Sequence, residues 1–343
     1  MHYSHINDLV NLPYFELGSH TRLVLKKSAV NYPIIDSHTH LGWHYLFTKP
    51  LDLWKKSCIQ HFFPQDNPFE LDSYASVNFT TKAKRVCRFE MMRSVYNTDG
   101  YSSTHTIPNI MQEMDDLQIS RSVLLALDFP VFSKNSQEML NSVNRTKESK
   151  KRLSVYISVH PFTLNKEKLI QKWIEEGAVG IKLHTQLQFF RASDRGAFEI
   201  YALAQKYNLP ILFHTGLSPV APRWQAWFVQ IKDYEIAIKT FPKVIFILGH
   251  AGGIEGHTDA VRLVNTYDNT HIETSSQSYT VLKYLIRKVD TRKIIYGSDW
   301  PFYPMAISLA KILIATEHNR AVRKDILFKN PMRLLERKNT HII

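Results

Sequence analysis

Ile34-Ile35-Asp36-Ser37-His38-Thr39-His40 joins two apolar residues directly to histidines spaced one residue apart. An apolar run of this kind predicts a buried β-strand, whose side chains alternate between its two faces. His38 and His40 therefore lie on the same face at the end of the strand. Two neutral imidazoles on one face supply half of a divalent metal site, since such sites use three or four protein ligands.

Seven further apolar runs follow from about residue 118 onward, separated by segments of helical length. The predicted strands are 122–127, 153–159, 179–183, 210–213, 244–248, 271–274 and 293–296. The predicted helices include 167–176, 195–207, 234–241, 256–267 and 279–289. Near-continuous apolar strands that alternate with helices are typical of a parallel sheet covered on both faces. Eight such units favour an α/β fold of the (β/α)₈ TIM-barrel class. A doubly wound open sheet is the alternative, although no Gly-x-Gly-x-x-Gly turn follows a strand.

Two regions interrupt this alternation within a single predicted barrel domain, residues 1–343. Residues 1–30 form an extension before the first strand, and we expect them to pack at the bottom or edge of the barrel. Residues 41–109 are far longer than a normal βα loop and are rich in aromatic residues, which argues against disorder. We interpret them as a helical cap over the barrel mouth. Three histidines of this cap are interpreted as surface residues: His44, His61 and His105.

The composition is that of a soluble globular protein, with 44% hydrophobic and 22% charged residues. No apolar stretch is long enough to span a bilayer, and the N-terminus lacks a secretory pattern, so no membrane partner is expected. Cys58 and Cys87 are too few for a disulfide framework, which favours a cytoplasmic location. The formal charge is +12. Because the Lys and Arg residues are scattered, this charge favours an acidic small-molecule substrate over nucleic acid.

Polar residues end five of the eight predicted strands. In a barrel of this class the active site lies at the carboxyl ends of the strands, so these residues share one face of the molecule. Polar groups inside a barrel mouth cost free energy unless they are paired or bind something. A divalent ion satisfies several of them together. The residues in question are His38 and His40, Lys182 and His184, His214, His250, and Asp299.

The order of these histidines and of Asp299 along the strands resembles that of the amidohydrolase superfamily of metal-dependent barrels. The sequence is most similar to the amidohydrolase-related branch, which also holds aminocarboxymuconate-semialdehyde decarboxylase and the aromatic-acid decarboxylases. The resemblance extends from Ile34 to the last helix. There Asn330-Pro331-Met332-Arg333-Leu334-Leu335 is similar to the closing Asn-Ala-x-Arg-Leu-Phe pattern of the branch.

The resemblance implies ligands of one metal, most simply Zn²⁺, with Mn²⁺ or Fe²⁺ as alternatives. Asp299 would also take a proton from water, and His250 would be the acid/base or a ligand of a second metal. The implied metal ligands are His38, His40, His214 and Asp299. A homodimer is also expected from the resemblance.

Lys182 has two interpretations. In several members of the superfamily a lysine at a comparable place is carboxylated and bridges two metals, and with His250 it would then hold a second ion. Alternatively, Lys182 is an ammonium that binds a substrate carboxylate. His184 is interpreted as either a substrate contact or a hydrogen-bonded structural residue. Arg223 could clamp a carboxylate or could simply be solvated. His160, before Pro161, is interpreted as structural.

Three functions are consistent with this pattern. The first is a metal-dependent hydrolase that activates water to cleave an amide, ester or lactone of a small, carboxylated compound. The second is a metal-dependent, non-oxidative decarboxylase of a small carboxylic acid, since the branch uses the same residues for that reaction. The third is a catalytically inactive barrel, against which the complete set of candidate ligands argues.

Overall fold

Eight parallel strands form the centre of the computed structural model, which describes residues 1–43, 51–96, 99–129, 133–218 and 221–337. Each strand pairs with the next one in chain order. This confirms the predicted barrel, and the strand boundaries agree with the sequence to within a few residues. The strands are β1 (Ile34–Thr39), β2 (Ile119–Leu125), β3 (Leu153–Ile157), β4 (Ala178–Leu183), β5 (Ile211–His214), β6 (Phe246–Gly249), β7 (Thr270–Glu273) and β8 (Ile294–Ile295).

The first and last strands meet and close the barrel. The Ser37 N–H donates to the carbonyl of Tyr296 at 2.9 Å. Beyond the end of β8, Asp299 N–H donates to His38 O at 2.8 Å, and His40 N–H donates to Trp300 O at 2.7 Å. These backbone hydrogen bonds place Asp299, in the segment after β8, directly beside His38 and His40 at the end of β1.

Helices separate the strands and cover their outer faces. Side-chain caps mark some of their starts, because the first backbone N–H groups of a helix need external acceptors. The Ser278 hydroxyl, for example, accepts the N–H of Val281 at 3.1 Å. The α-helices are α1 (Thr81–Tyr96), α2 (Ile107–Asp116), α3 (Asn135–Val143), α4 (Lys147–Arg152), α5 (Lys166–Glu175), α6 (Arg195–Lys206), α7 (Ile231–Thr240), α8 (His257–Thr266), α9 (Tyr279–Lys288), α10 (Met305–Ala315), α11 (Arg320–Lys324) and α12 (Asn330–Leu335). No helix of the described ranges is long and apolar enough to cross a membrane.

The interior of the barrel is filled by side chains rather than forming a pore. Alternation along each strand sends one set of residues inward and the other set outward against the helices. Gly180 of β4 leaves room for the inward ring of Tyr156, since a Cβ at this position would lie 2.5 Å from the ring. The inner apolar cluster consists of Val123, Leu125, Tyr156, Leu212, Ile247, Ile295 and Leu334.

The N-terminal extension is tied both to the side of the barrel and to the long insertion after β1. Its first strand, His2–Tyr3, pairs antiparallel with Phe69–Glu70 of the insertion. Further along, the Gln118 side chain, just before β2, donates to Leu25 O at 2.5 Å. The extension therefore lies along one edge of the barrel and also buttresses the insertion, which carries α1.

Lys311 is buried in helix α10, whose other residues are apolar except for Ser308. Its ammonium donates to Ser73 O of the insertion at 3.1 Å and to Gln277 O of the loop after β7 at 2.8 Å. Burial lowers the pKa of Lys311 from 10.5 to about 7, although Asp72 acts in the opposite direction. This lysine links the insertion to a loop at the carboxyl end of the barrel.

Lys311 should give the folded protein a measurable pH dependence. Between pH 7 and 10.5 the unfolded chain binds this proton more strongly than the folded protein, so the stability of the folded state rises with pH. Lys311→Met lacks this titration. We expect the free energy of unfolding of the wild type, minus that of the variant, to increase between pH 7 and 9.5, by at most about 3 kcal/mol. Urea titrations measure it, and a difference that does not change with pH would contradict this expectation.

Candidate functional site

Polar side chains lie above the apolar interior, at the carboxyl ends of the strands. The alternation that points Leu212 into the barrel also points His214 inward, two residues later. The same periodicity relates Gly180 to Lys182 in β4, and His271 to Glu273 in β7. The structure thus gathers ionisable groups from different strands at one end of the barrel.

His38, His40 and Asp299 face one another closely. The Nε2 atom of His38 is 3.7 Å from Asp299 Oδ1, and that of His40 is 3.6 Å from the same oxygen. These separations are too long for hydrogen bonds. They are close to the spacing of about 3.4 Å between two ligand atoms that bind one zinc ion tetrahedrally, each about 2.1 Å from the ion.

The hydrogen bonds behind the imidazoles decide which nitrogen faces Asp299 without a proton. His40 Nδ1 lies 2.9 Å from Leu125 O, and a carbonyl can only accept, so Nδ1 is the ring nitrogen that carries a proton toward Leu125 and Nε2 is the one that faces Asp299. His40 Nε2 is then a lone-pair donor. His38 Nε2 is buried and has no hydrogen-bond partner within the described structure. An orphaned ring nitrogen beside a carboxylate fits a metal ligand whose other nitrogen is held from behind.

His250 also belongs to this cluster. His38, His250 and Asp299 offer ligand atoms that all lie within 4.8 Å of one another. The His38 and His250 ring centroids are 4.6 Å apart, and those of His214 and His250 are 4.5 Å apart. His214 also stacks on His184, with centroids 3.9 Å apart. The strand-end histidines predicted from the sequence therefore form one continuous group.

Burial favours the neutral form of four imidazoles of the cluster. It is the largest cause that lowers the pKa of His38 and His184, with Lys182 second in each case. Burial likewise lowers the pKa of His214 and His250. Neutral imidazole is the form that binds a metal, so these groups are prepared to act as ligands.

Two carboxylic acids, by contrast, respond differently to the same burial. Burial alone would raise the pKa of Asp299, but His250, His40 and His38 hold it below its ordinary value. For Glu273 the burial effect prevails, and its pKa is raised. Asp299 is therefore ionised, whereas the state of Glu273 also depends on His250 and on the hydrogen bonds it accepts from Ser275 and from the His250 backbone, which act against burial.

Lys182 is buried at the base of the site, and its Nζ has no hydrogen-bond partner among the residues the structure describes. Burial lowers its pKa to about 8, while Asp299 and Glu273 act in the opposite direction. A cation without a counter-contact in a closed pocket is suited to an anionic ligand group. Both interpretations of Lys182 given by the sequence are compatible with this position.

Glu273 is a central residue of the site that the sequence analysis missed. Its carboxylate is fully buried, and Oε2 lies 2.6 Å from His38 Nδ1. The signal was present in the sequence, because Glu273 ends β7 with the same inward periodicity as the other strand-end residues. Ser275, two residues further on, lies between Glu273 and His250 and was missed as well.

The backbone is strained at three of the residues around the cluster. Asp299 has φ +65°, His250 has φ +58° and Ser276 has φ +64°, a region that non-glycine residues rarely adopt. Hydrogen bonds hold these turns in place: Asp299 N–H donates to His38 O, and the Gln277 amide donates to His250 O at 2.5 Å. Strain of this kind concentrates at functional sites.

A largely apolar cavity opens onto the cluster. The insertion covers it with aromatic side chains, and Trp43 stacks on Phe302 at 5.7 Å between centroids. Lys84 and Lys182 are the cationic residues of the lining in the described part of the chain. The cavity suits a small, partly apolar ligand that carries an anionic group. Its lining includes His40, Trp43, Tyr74, Phe79, Cys87, His184, His214, His250, Asp299, Phe302 and Tyr303.

Several predicted residues lie elsewhere or behave differently from their prediction. Arg223 is exposed and is not part of the cavity lining, so its role as a carboxylate clamp stays a prediction. His61 and His105 were predicted at the surface, but both are buried. His61 Nε2 is 2.9 Å from Glu113, and His105 Nε2 is 2.9 Å from Gln60 O. His61 and His105 are buried because the insertion packs against the loop after β8, where the ring of Trp300 contacts His105.

Two other histidines complete the comparison with the sequence. His160 is buried at the end of β3, with Nε2 2.8 Å from Gln188 O, as suits a structural residue. The prediction for His44 falls on 44–50, outside the described residues.

Comparison with known proteins identifies the family. A family model described as "Amidohydrolase" matches residues 156–337, more than half of the chain. The chain therefore belongs to the amidohydrolase family, and it is an enzyme of the amidohydrolase superfamily. No match was found among curated proteins.

Solved structures share the fold at low sequence identity. One is a 5-carboxyvanillate decarboxylase from Novosphingobium aromaticivorans, in complex with manganese and 4-hydroxy-3-methoxy-5-nitrobenzoic acid. Its TM-score is 0.62 at 11% identity, and the match covers 92% of this chain and 98% of that one. Another is an uncharacterised TIM-barrel protein from Bordetella bronchiseptica, with a TM-score of 0.60 and 13% identity; the match covers 89% of this chain and 98% of that one. A third is a probable 2-pyrone-4,6-dicarboxylic acid hydrolase from Acinetobacter baumannii, with citric acid bound. Its TM-score is 0.58 at 15% identity, and the match covers 89% of this chain and 99% of that one. These likenesses show the barrel fold.

The cluster should bind a divalent ion through His38 and Asp299. We expect His38→Ala and Asp299→Asn each to weaken Zn²⁺ binding by more than about 100-fold, because losing an outer-shell contact alone costs about 10- to 100-fold. Titration calorimetry on chelator-treated protein measures the affinity. His160→Ala is the matched control, since it also removes a buried strand-end histidine. Equal affinity in all three variants and the wild type would disprove a site at these residues.

Proposed function

We propose that this protein is a metal-dependent hydrolase that cleaves an ester, lactone or amide bond of a small, carboxylated compound. The observation that carries the proposal is the convergence of His38 Nε2 and His40 Nε2 on Asp299 at a largely apolar, partly aromatic cavity. The proposed ligands are His38, His40, His214 and Asp299. Zn²⁺ suits these nitrogen and carboxylate donors, with Mn²⁺ or Fe²⁺ as alternatives.

The bound ion would supply Lewis-acid chemistry and would lower the pKa of water to about 7. The residues of the chain perform the remaining tasks. Asp299, an anion held below its ordinary pKa, accepts a proton from the attacking water. His250 lies across the cluster, takes up that proton from Asp299 at its free ring nitrogen and delivers it to the leaving group. With Lys182 carboxylated, that residue and His250 could instead hold a second ion.

Lys182 and the cavity wall account for substrate selection in this proposal. The unpartnered ammonium of Lys182 binds a substrate carboxylate, and His184, on the same wall, contacts the substrate beside it. The aromatic side chains of the insertion exclude water and favour a planar, partly apolar molecule. Arg223 would contribute only if its exposed loop approached the cavity.

A non-oxidative decarboxylase is the second candidate. It is favoured by the apolar walls of the cavity, because an apolar environment disfavours a carboxylate held away from Lys182 and so favours the loss of CO₂. One structure with the same fold is named as a decarboxylase of an aromatic acid. The proposal also includes a cytoplasmic location, consistent with Cys58 and Cys87 being free thiols, and a homodimer.

Turnover of two probes separates the candidates. The zinc- and manganese-loaded protein is supplied with 2-pyrone-4,6-dicarboxylate, a lactone, and with 5-carboxyvanillate, an aromatic acid. We expect the lactone ring to open with uptake of ¹⁸O from labelled water, detected by mass spectrometry. Release of CO₂ from 5-carboxyvanillate without ¹⁸O uptake would establish the decarboxylase instead. Turnover of neither probe, nor of other carboxylated lactones and esters, would point to an inactive barrel.

Lys182→Met tests the carboxylate-binding role. Removing the charge should raise KM for a carboxylated substrate by at least about 10-fold, since a charge-assisted hydrogen bond contributes roughly 1.5–3 kcal/mol. The KM for the corresponding methyl ester should change little. A loss of kcat with unchanged KM on both compounds would instead indicate that Lys182 takes part in metal binding or in the chemical step.

A further inference from the structure

The Glu273 carboxylate receives hydrogen bonds from several sides. Oε1 accepts the backbone N–H of Ser275, and Oε2 accepts the backbone N–H of His250 at 3.2 Å. Oε2 also accepts the Ser275 hydroxyl at 2.8 Å and lies 2.6 Å from His38 Nδ1. A backbone N–H can only donate, so two of these contacts fix Glu273 as an acceptor at both oxygens.

The contact between Glu273 and His38 then has a defined direction. Two backbone donors and a hydroxyl donor favour the ionised carboxylate. An ionised carboxylate has no proton to give, so His38 Nδ1–H is the donor and His38 Nε2 keeps its lone pair. This is the nitrogen that lies 3.7 Å from Asp299 and has no partner within the described ranges.

Ser275 transmits the same constraint to His250. Because its hydroxyl proton points to Glu273 Oε2, its oxygen is left to accept a hydrogen bond. His250 Nδ1 lies 2.8 Å from that oxygen. Nδ1 of His250 therefore carries the ring proton, and Nε2 of His250 carries the lone pair.

We propose that Glu273 is a positioning residue that holds two imidazoles in the same tautomer, His38 directly and His250 through Ser275. This inference rests on the proposed function only for the roles of those two rings as metal ligand and acid/base. One carboxylate, fully buried below the cluster, thus sets the lone pairs of a ligand and of a proton carrier together. A change at Glu273 alters both rings without removing either.

Glu273→Gln reverses the hydrogen bonding with almost no change in volume. Whichever way the amide is turned, its NH₂ group replaces an oxygen that now accepts a backbone N–H. The orientation that keeps the short Ser275 N–H contact puts NH₂ at the Oε2 position, next to His38 and the Ser275 hydroxyl. His38 must then accept at Nδ1 and carry its proton on Nε2. Ser275 likewise loses its acceptor and turns its proton toward His250.

The tautomers can be measured directly in the full-length, metal-free protein. Long-range ¹H–¹⁵N correlation spectra of histidine-labelled protein distinguish protonated from unprotonated ring nitrogens, and His38→Asn and His250→Asn assign the two rings. We expect both to be Nδ1–H in the wild type. In Glu273→Gln we expect both to shift to Nε2–H, and the Zn²⁺ affinity to fall by about 10- to 100-fold.

Two controls separate positioning from general damage to the fold. Ser275→Ala removes the link to His250 and a longer contact of 3.3 Å with His38 Nδ1, but it leaves Glu273 2.6 Å from His38, so the His38 tautomer should stay Nδ1–H. Asp36→Asn changes another buried carboxyl, which accepts the backbone N–H of His38 at 3.1 Å and of Ser298 at 3.0 Å but touches neither ring. In Asp36→Asn, the tautomers of His38 and His250 should be the same as in the wild type. A thermal melt of each metal-free variant reports whether the fold is retained.

The outcomes distinguish this inference from the proposed function. A wild type with Nε2–H rings, or unchanged tautomers in a folded Glu273→Gln variant, would overturn the positioning role even if zinc binds. The expected tautomers in a protein that binds no metal would support the positioning role and overturn the proposed function. If Glu273→Gln fails to fold, the His250 tautomer in Ser275→Ala is the deciding measurement. Loss of the Nδ1–H form of His250 would support the link through Ser275, and an unchanged Nδ1–H form would overturn it.

Discussion

The meeting of the first and last strands is the constraint on which the candidate site depends. The residues after β8 donate and accept backbone hydrogen bonds with residues 37–40, at the end of β1 and directly after it. Asp299 reaches His38 and His40 only because the barrel closes there, since these residues are some 260 positions apart in the chain. An open sheet would leave β1 and β8 at opposite edges and separate the carboxylate from the imidazoles. Closure of the barrel and assembly of the site are thus the same event.

Burial of so many polar groups explains the rest of the arrangement. Each unpaired polar group away from water is costly, so most of the cluster is held from behind by hydrogen bonds, as His38 is by Glu273 and His40 by Leu125 O. Among the residues that the structure describes, His38 Nε2 and Lys182 Nζ have no hydrogen-bond partner, and Lys182 lines the cavity. The insertion covers this space with aromatic side chains. A bound ligand therefore interacts with the cluster at a low dielectric constant, which strengthens the Coulomb interactions between charged groups.

The strand-end residues were predictable because barrel architecture sends every carboxyl end to one face. This rule alone located His38, His40, Lys182, His214, His250 and Asp299. It did not identify Glu273, because the strand predicted from the sequence extends to Thr274, whereas β7 ends at Glu273. His61 and His105 were misjudged for a different reason. Their burial results from packing between the insertion and the loop after β8, and no local pattern reveals a contact between segments almost 200 residues apart.

By itself, the sequence determined the alternating strands and helices, the eightfold barrel and the identity of the polar residues at its mouth, because periodicity and strand ends are local properties. Tertiary structure decided which hydrogen-bond partners the ring nitrogens and the carboxylates have, and which cations face the cavity. Those properties depend on partners such as Leu125 O and Glu273, and on burial, which exist only once distant strands have come together.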